Sequence, residues 1–279
     1  MDQLILRYLK IYPKKYLIKN MKKNKIVYVP MGADIIHSGH LNILNHAQKY
    51  GEIVIGLFTD SAISEYKKLP LINYQQRYDI IKNIKGVKKV IAQDTWDYSK
   101  NLNKIKPDFV VHGDDWKQGI QKKTRDKVIK TLKKWSGKLI EPKYTNNISL
   151  TKIKDKMSNI ISSPDNRVSR LKRLFNSKDI VRILESHNAL TGLIIENIKV
   201  IKKNNFHEFD GMWSSSLTDS ATKGKPDNSS VDFSTRLSSL NDIMEVTTKL
   251  LVFDADNGGQ LEHLPFLVRS LERCGASAI

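Results

Sequence analysis

Residues 26–47 read Ile26-Val-Tyr-Val29-Pro-Met31-Gly32-Ala33-Asp34-Ile-Ile-His37-Ser-Gly39-His40-Leu41-Asn-Ile-Leu44-Asn-His-Ala47. An apolar run leads into a short loop, and apolar residues then recur at helical spacing from Leu41 to Ala47. The pattern is strand, tight loop and helix, with two histidines at the turn into the helix. His37 and His40 are three residues apart and share one helix face. A helix N-terminus offers free backbone N–H groups and the positive end of a dipole, which suits phosphate. Two imidazoles beside it can donate hydrogen bonds to a triphosphate as charge builds there. Gly39 has no side chain to obstruct such a ligand. Asp34 is expected to order the loop, since Asp in turns bonds nearby backbone.

The alternation continues outward. Ile53–Leu57, Val87–Ile91, Phe109–Val111 and Lys138–Ile140 read as further strands, with helical patterns between most of them. Alternating β and α elements predict a parallel sheet with helices on both faces. Phosphate ligands then sit at the carboxyl ends of the strands, at a switch point. His37, His40, Asp114, Ser149 and Thr151 all follow expected strands, so one cleft would gather them.

His37-Ser-Gly39-His40 resembles the H-x-G-H signature of the cytidylyltransferase-like nucleotidyltransferases. Other segments resemble that family in the same order: Tyr66-Lys67-Lys68-Leu69-Pro70 its basic loop, Gln75-Gln76-Arg77-Tyr78 its arginine-bearing helix start, Val110-Val-His-Gly113-Asp114-Asp115-Trp116 its late strand end, and Ile148-Ser149-Leu-Thr151 its hydroxyl-rich helix start. The resemblance covers roughly Lys25 to Lys156. It implies a Rossmann-like domain that takes CTP with Mg²⁺. His37, His40, Lys67 and Arg77 would be catalytic, and Met31, Gly32, Ala33, Gly39, Lys68, Asp114, Ser149 and Thr151 would hold the nucleotide. Met31-Gly32-Ala33-Asp34 stands where many members have Gly-x-Phe-Asp, and Thr-Asn-Asn precedes Ile148 where many carry an arginine and a glycine. These departures bear on the acceptor more than on the nucleotide.

The chain has 279 residues and a net charge of +18. All the excess lies in the first 160 residues, with 32 basic and 14 acidic side chains against 15 and 15 in the remainder. A basic field can steer triphosphates or nucleic acid. However, the basic run Lys117–Lys134 interleaves with Ile120, Val128, Leu132 and Trp135 at helical spacing, which predicts a solvated face over a buried stripe. No nucleic-acid partner is therefore expected. No apolar run reaches the ~18 residues of a membrane span, and no secretory signal opens the chain. The one cysteine, Cys274, excludes an internal disulfide, fits a reducing cytoplasm and reads as a small buried hydrophobe.

Ile161-Ser-Ser-Pro164-Asp-Asn-Arg167 is rich in turn formers and falls where the charge balance changes. The expected organisation is an extension over 1–24, a nucleotidyltransferase-like domain over 25–157, a linker over 158–168 and a second domain over 169–279. In that domain Ile180–Leu184, Phe209–Trp213 and Leu250–Phe253 read as strands, and Ala276–Ile279 as the start of another. Leu190–Val200, Arg236–Thr247 and Pro265–Arg273 read as helices, and Ser214–Val231 as a polar loop. About three β/α units cannot close a barrel of about eight. The second domain is therefore expected to be the first, truncated part of a (β/α)8 barrel, and the chain a fragment.

Asp254-Ala-Asp256-Asn-Gly258-Gly259 places two acids at i and i+2 after a strand, which suggests a hard-cation site. The alternative reading is a solvated turn. Together with Ser186-His187-Asn188, Phe209-Asp-Gly211-Met-Trp213-Ser-Ser215-Ser216-Leu217 and Lys223-Gly224-Lys225-Pro226-Asp227, this segment resembles phosphoenolpyruvate mutase of the isocitrate lyase superfamily. The resemblance implies Mg²⁺ at Asp254 and Asp256, a phosphoenolpyruvate pocket lined by Trp213, Ser215, Ser216 and Leu217, and Asp227 as nucleophile on a mobile loop. Related carbon–carbon lyases carry a cysteine in that loop, and Ser220–Asp232 has none. The family's next acidic, lysine and asparagine residues would follow Ile279, so this stretch alone is expected to be inactive as a mutase.

The two resemblances combine into one expectation: a bifunctional, cytoplasmic phosphonate-biosynthesis enzyme, homo-oligomeric at full length. One part would convert phosphoenolpyruvate to phosphonopyruvate, and the other would transfer cytidylyl from CTP to a small phosphonate such as 2-aminoethylphosphonate. The alternatives are transfer to a phosphate ester, phosphoethanolamine or phosphocholine, and a non-catalytic basic binding module.

Overall fold

The computed structural model describes residues 24–65, 68–119, 121–143, 162–202 and 205–279. The expected N-terminal extension lies almost wholly outside them, as do Lys67, Ile120, Ser149 and Thr151. The first region runs β1 (Ile26–Met31), α1 (Ser38–Gln48), β2 (Glu52–Phe58), α2 (Asp60–Ser64), α3 (Tyr74–Lys82), β3 (Val87–Gln93), α4 (Ser99–Ile105), β4 (Phe109–Val111), α5 (Lys122–Leu132) and β5 (Lys138–Ile140). The five strands pair in parallel in the order β3-β2-β1-β4-β5. The order reverses at β1, so the switch point lies at the carboxyl end of β1, where the loop to His37 begins.

Side-chain alternation builds a core on each face of this sheet. Val27, Val29 and Met31 pack with Leu44, Ile55 and Leu57 on one face. Tyr28 packs with Val54, Tyr98, Trp116 and Leu132 on the other. Each such side chain contributes roughly 1.5–3 kcal/mol through burial. Val128 and Leu132 of α5 are buried while Lys122, Lys123 and Lys127 of the same helix are exposed, so the basic run is a solvated face over an apolar stripe.

The second region runs α6 (Pro164–Phe175), β6 (Ile183–Glu185), α7 (Ala189–Asn197), β7 (Val200–Lys202), β8 (Asn205–His207), β9 (Gly211–Ser214), α8 (Ser216–Ala221), α9 (Phe233–Val246), β10 (Leu250–Phe253) and α10 (Leu264–Cys274). Its parallel sheet has the order β10-β9-β6, and a parallel bridge from Val252 to Ala278 continues it. Successive parallel strands with intervening helices form an arc of the barrel type. Met212, Leu240, Ile243, Leu251 and Leu271 form its core.

Several local expectations change. The turn formers around Pro164 begin a helix rather than a linker. Pro164 stands in the first turn, where its missing N–H costs nothing, and Arg167 is buried against the second region, donating to Lys249 O at 3.1 Å. Within the expected polar loop, Ser215 caps the short helix α8. The β7–β8 hairpin carries no signal that was recognised in the sequence, and Ala276–Ile279 supplies a single bridge.

The two regions touch. The Ser61 and Ser64 hydroxyls each donate to Ser177 O at 3.1 Å, and Leu69 packs with Leu174 and Leu250. Segments that follow β2 therefore meet α6, the turn after it and the amino end of β10. Asp254 and Ser215 lie at the opposite ends of those strands, about 13 Å away at ~3.3 Å per residue.

Candidate functional site

The first cleft is built at the start of α1. His37 is the N-cap, in extended conformation. Its Nδ1 accepts the Gly39 N–H at 3.1 Å, and His40 Nδ1 accepts the His37 N–H at 3.4 Å. This is a reciprocal capping box made by two imidazoles. Because each Nδ1 is an acceptor, a neutral ring carries its proton on Nε2, which is then a donor. Burial lowers the pKa of both rings, and the neighbouring His37 charge helps bring His40 to about 4. The ring centroids are 4.1 Å apart. Two neutral Nε2–H donors thus stand beside the helix N-terminus.

Gly32 follows the buried Met31 with open space around it. A Cβ there would lie 3.8 Å from Ile63 Cδ1, an ordinary contact. Ala33 adopts a left-handed conformation with φ 52° and is buried. Asp34 is buried, and its Oδ1 accepts the N–H groups of Leu71, at 2.7 Å, and Ile72, at 3.3 Å. It therefore orders the loop that follows α2 rather than only its own turn. Gly39 spends its N–H on the cap.

Arg77 and Lys68 are committed to protein partners. The Arg77 guanidinium is wholly buried, with Nη1 donating to Gly32 O at 2.5 Å and Nη2 to Asp60 at 2.6 Å. In this arrangement it ties the two loops together and does not face solvent. Lys68 pairs with Glu196 of the second region at 2.9 Å. Asp114 opens a 3-10 turn at the end of β4, its N–H donating to Pro142 O at 3.2 Å. Trp116 is a core residue: it is wholly buried, stacks on His112 with centroids 3.9 Å apart, and donates to Glu141 at 2.7 Å. The expected sites at Lys67, Ser149 and Thr151 lie outside the described residues.

The second cleft gathers the ends of β9 and β10. Ser216 donates to Asp254 Oδ2 from its hydroxyl, at 3.0 Å, and its N–H, at 3.3 Å. The Asp256 N–H donates to Asp254 Oδ1 at 2.9 Å, and Asp256 itself is left-handed with φ 57°. The chain therefore turns between the two acids instead of running extended, because the Asp254 carboxylate captures the backbone two residues on. Burial alone would raise the Asp254 pKa, but the N–H groups of Asp256 and Ser216 hold it below the usual carboxylate range. Ser229 donates to Asp256 at 2.8 Å, which brings the 222–231 loop over the pair. Asp227 lies in an exposed turn of that loop, Trp213 and Leu217 are also exposed, and Ser215 is buried.

Asp254, held ionised, and Asp256, two residues on, are the carboxylates of this cleft that could hold a Mg²⁺ keeping much of its water shell. No cluster of three or more metal-binding side chains occurs among the described residues. Sequence reading missed the buried pair Asp219–Arg236, at 2.9 Å, beneath this cleft. Arg236 also lies 4.3 Å over the Phe253 ring. The i to i+17 spacing of the pair matches no helix or strand repeat, so no local signal marked it. Cys274 is half-buried, and burial raises its thiol pKa. No helix among the described residues is long and apolar enough to cross a membrane.

Fold and cleft define the class. Residues 33–156 match the cytidylyltransferase-like family and residues 171–279 match phosphoenolpyruvate phosphomutase, so the chain joins a cytidylyltransferase-like domain of Rossmann-like fold to a phosphoenolpyruvate mutase-like region. Ethanolamine-phosphate cytidylyltransferase of Dictyostelium discoideum is 34% identical over 138 residues, which is 49% of this chain and 37% of that protein. The FAD synthase of Methanobrevibacter smithii is 33% identical over 94 residues, 32% of this chain and 61% of that protein. The matches thus span less than two thirds of either relative. The phosphoenolpyruvate phosphomutase structure from Streptomyces platensis subsp. rosaceus matches 39% of this chain and 36% of that one, at 29% identity and a TM-score of 0.35.

Proposed function

We propose that the first domain transfers cytidylyl from CTP to a small phosphonate, and that 2-aminoethylphosphonate is the acceptor. The observation that carries the transferase reading is the pair of Nε2–H donors fixed by His37 and His40 at the start of α1. An acceptor oxygen attacks the α-phosphorus in line, and the bond to the bridging oxygen of the leaving pyrophosphate breaks. The imidazoles donate to the oxygens that gain charge, where a fixed donor acts without reorganisation. Lys67, Ser149 and Thr151, with Lys68 once released from Glu196, would hold the phosphates, and Gly32 leaves room for them. Mg²⁺, when bound, neutralises phosphate charge.

The choice of a phosphonate rests on the mutase region alone. There Asp227 would attack the phosphorus of phosphoenolpyruvate and release the enolate oxygen. The enolate carbon would then take the phosphoryl group back, forming the carbon–phosphorus bond of phosphonopyruvate. Ser215 and neighbouring N–H groups would hold the carboxylate, and Asp254 and Asp256 would hold Mg²⁺. A second reading, transfer to phosphoethanolamine, is favoured by the likeness to an ethanolamine-phosphate cytidylyltransferase.

Pyrophosphate release separates these readings. The protein would be given CTP and Mg²⁺ with 2-aminoethylphosphonate or phosphoethanolamine, and ATP would replace CTP in a parallel arm. Faster release with the phosphonate supports the proposal. Release only with the ester supports the second reading, and release only from ATP overturns both.

A further inference from the structure

The 68–72 loop is held from both sides. On one side, the N–H groups of Leu71 and Ile72 donate to Asp34, in the turn that leads to His37. On the other side stands Arg173, which belongs to α6 of the second region. Its Nη1 donates to Leu71 O at 3.0 Å and its Nη2 to Pro70 O at 2.8 Å. The same Nη2 lies 3.6 Å from Asp60 Oδ2, and the other Asp60 oxygen accepts from Arg77. Arg77 in turn donates to Gly32 O. The Leu71 backbone is therefore gripped at its N–H by the first region and at its C=O by the second.

We infer that Arg173 is a positioning residue for the nucleotide cleft, so that the mutase region completes the cytidylyl-transfer site; this rests on the CTP reading above. The physical argument is geometric. The loop has no regular secondary structure of its own. Its ladder of hydrogen bonds ends on Arg173, and the fork of a guanidinium can hold two carbonyls and a carboxylate at fixed angles, which a lysine cannot. Asp60 is shared by Arg77 and Arg173, so losing Arg173 also loosens Arg77 and the Gly32 carbonyl beside the phosphate space. The effect reaches substrate binding through Pro70, Leu71 and Asp60, and Arg173 itself touches no reacting atom.

The test uses the full chain with Arg173→Ala and Arg173→Lys. Expected for Arg173→Ala is a KM for CTP raised about tenfold with kcat changed less than threefold, the pattern of lost ground-state positioning. Added guanidinium ion should recover part of that loss, and Arg173→Lys should lie between. A purely structural role would instead lower the active fraction and leave KM unchanged. If Arg173→Ala does not fold, Arg173→Lys carries the same comparison. Equilibrium binding of CTP separates the two readings. A wild type that binds no CTP overturns the transferase proposal and this inference with it. A wild type that binds CTP no better than a folded Arg173 variant overturns this inference alone.

Discussion

His37 lends its Nδ1 to the backbone of Gly39, and His40 lends its Nδ1 to the backbone of His37. Both rings are thereby fixed as Nε2–H tautomers when neutral. In ¹⁵N spectra at pH 7, both residues should show a protonated Nε2 and an unprotonated Nδ1. His40→Ala should lower kcat by about 10²–10³, as for loss of one donor to a developing charge. It should cost only about 1 kcal/mol of stability through the lost cap. A variant that keeps a third of wild-type turnover would rule out the role given to His40.

Acid should expose the cost of burying His40. Its folded pKa, about 4, lies below its ordinary 6.5. Between those values the unfolded chain binds the proton and the folded chain does not. Stability is therefore full above pH 6.5 and falls as the pH drops toward 4. Urea unfolding at pH 7.5 and 4.5 should show wild type losing more stability than His40→Asn. Equal losses would contradict the burial argument.

Gly32→Ala should separate folding from binding. The added methyl meets only Ile63 Cδ1, at 3.8 Å, so the unfolding midpoint should scarcely move. A triphosphate approaching that backbone would meet the methyl directly, and KM for CTP should rise about tenfold, or ~1.4 kcal/mol. An unchanged KM would mean the phosphates lie elsewhere.

Lys68 cannot serve Glu196 and a phosphate together. Burial would raise the Glu196 pKa, but the Lys68 charge and bonds from Thr248 bring it down to about 2. That carboxylate stabilises the fold above its ordinary pKa, and the contribution fades as the pH falls toward 2. Glu196→Gln should free Lys68 and lower KM for CTP a few-fold. It should also cost about 1 kcal/mol of stability at pH 7, a discounted figure for a partly exposed pair. A raised KM would show that the pairing organises the loop instead of competing with the nucleotide.

Arg236→Met would leave the Asp219 charge buried without its partner. Breaking such a pair costs roughly 3–5 kcal/mol, and replacing both partners by apolar residues costs much less. Denaturant unfolding followed by far-UV circular dichroism should show the large loss for Arg236→Met and a partial return for Arg236→Met with Asp219→Leu. A single variant within 1 kcal/mol of wild type would place the pair's energy elsewhere.

The first sheet was legible because parallel strands are buried on both faces and read as plain apolar runs. Phe109–Val111, Lys138–Ile140 and Leu250–Phe253 stand where the sequence placed them. The start of α6 was misread because Ser-Pro-Asp marks a turn and a helix beginning alike. The α8 helix was missed because its apolar positions are too few to set a period. His37 and His40 were legible as a pair since both lie within one turn of the same helix.

The sequence by itself determined the two α/β regions, the switch point at β1 and the chemistry offered at the start of α1. These follow from periodicity and from residue types close together in the chain, which local sterics and burial turn into structure. Only the tertiary structure decided which partners those residues keep. Arg77 is buried on Asp60, Lys68 is held by Glu196, and Arg173 grips the loop beside the nucleotide cleft. Each of those pairings joins elements far apart in sequence, and a charge seeking a partner carries no period that would announce which distant segment supplies it.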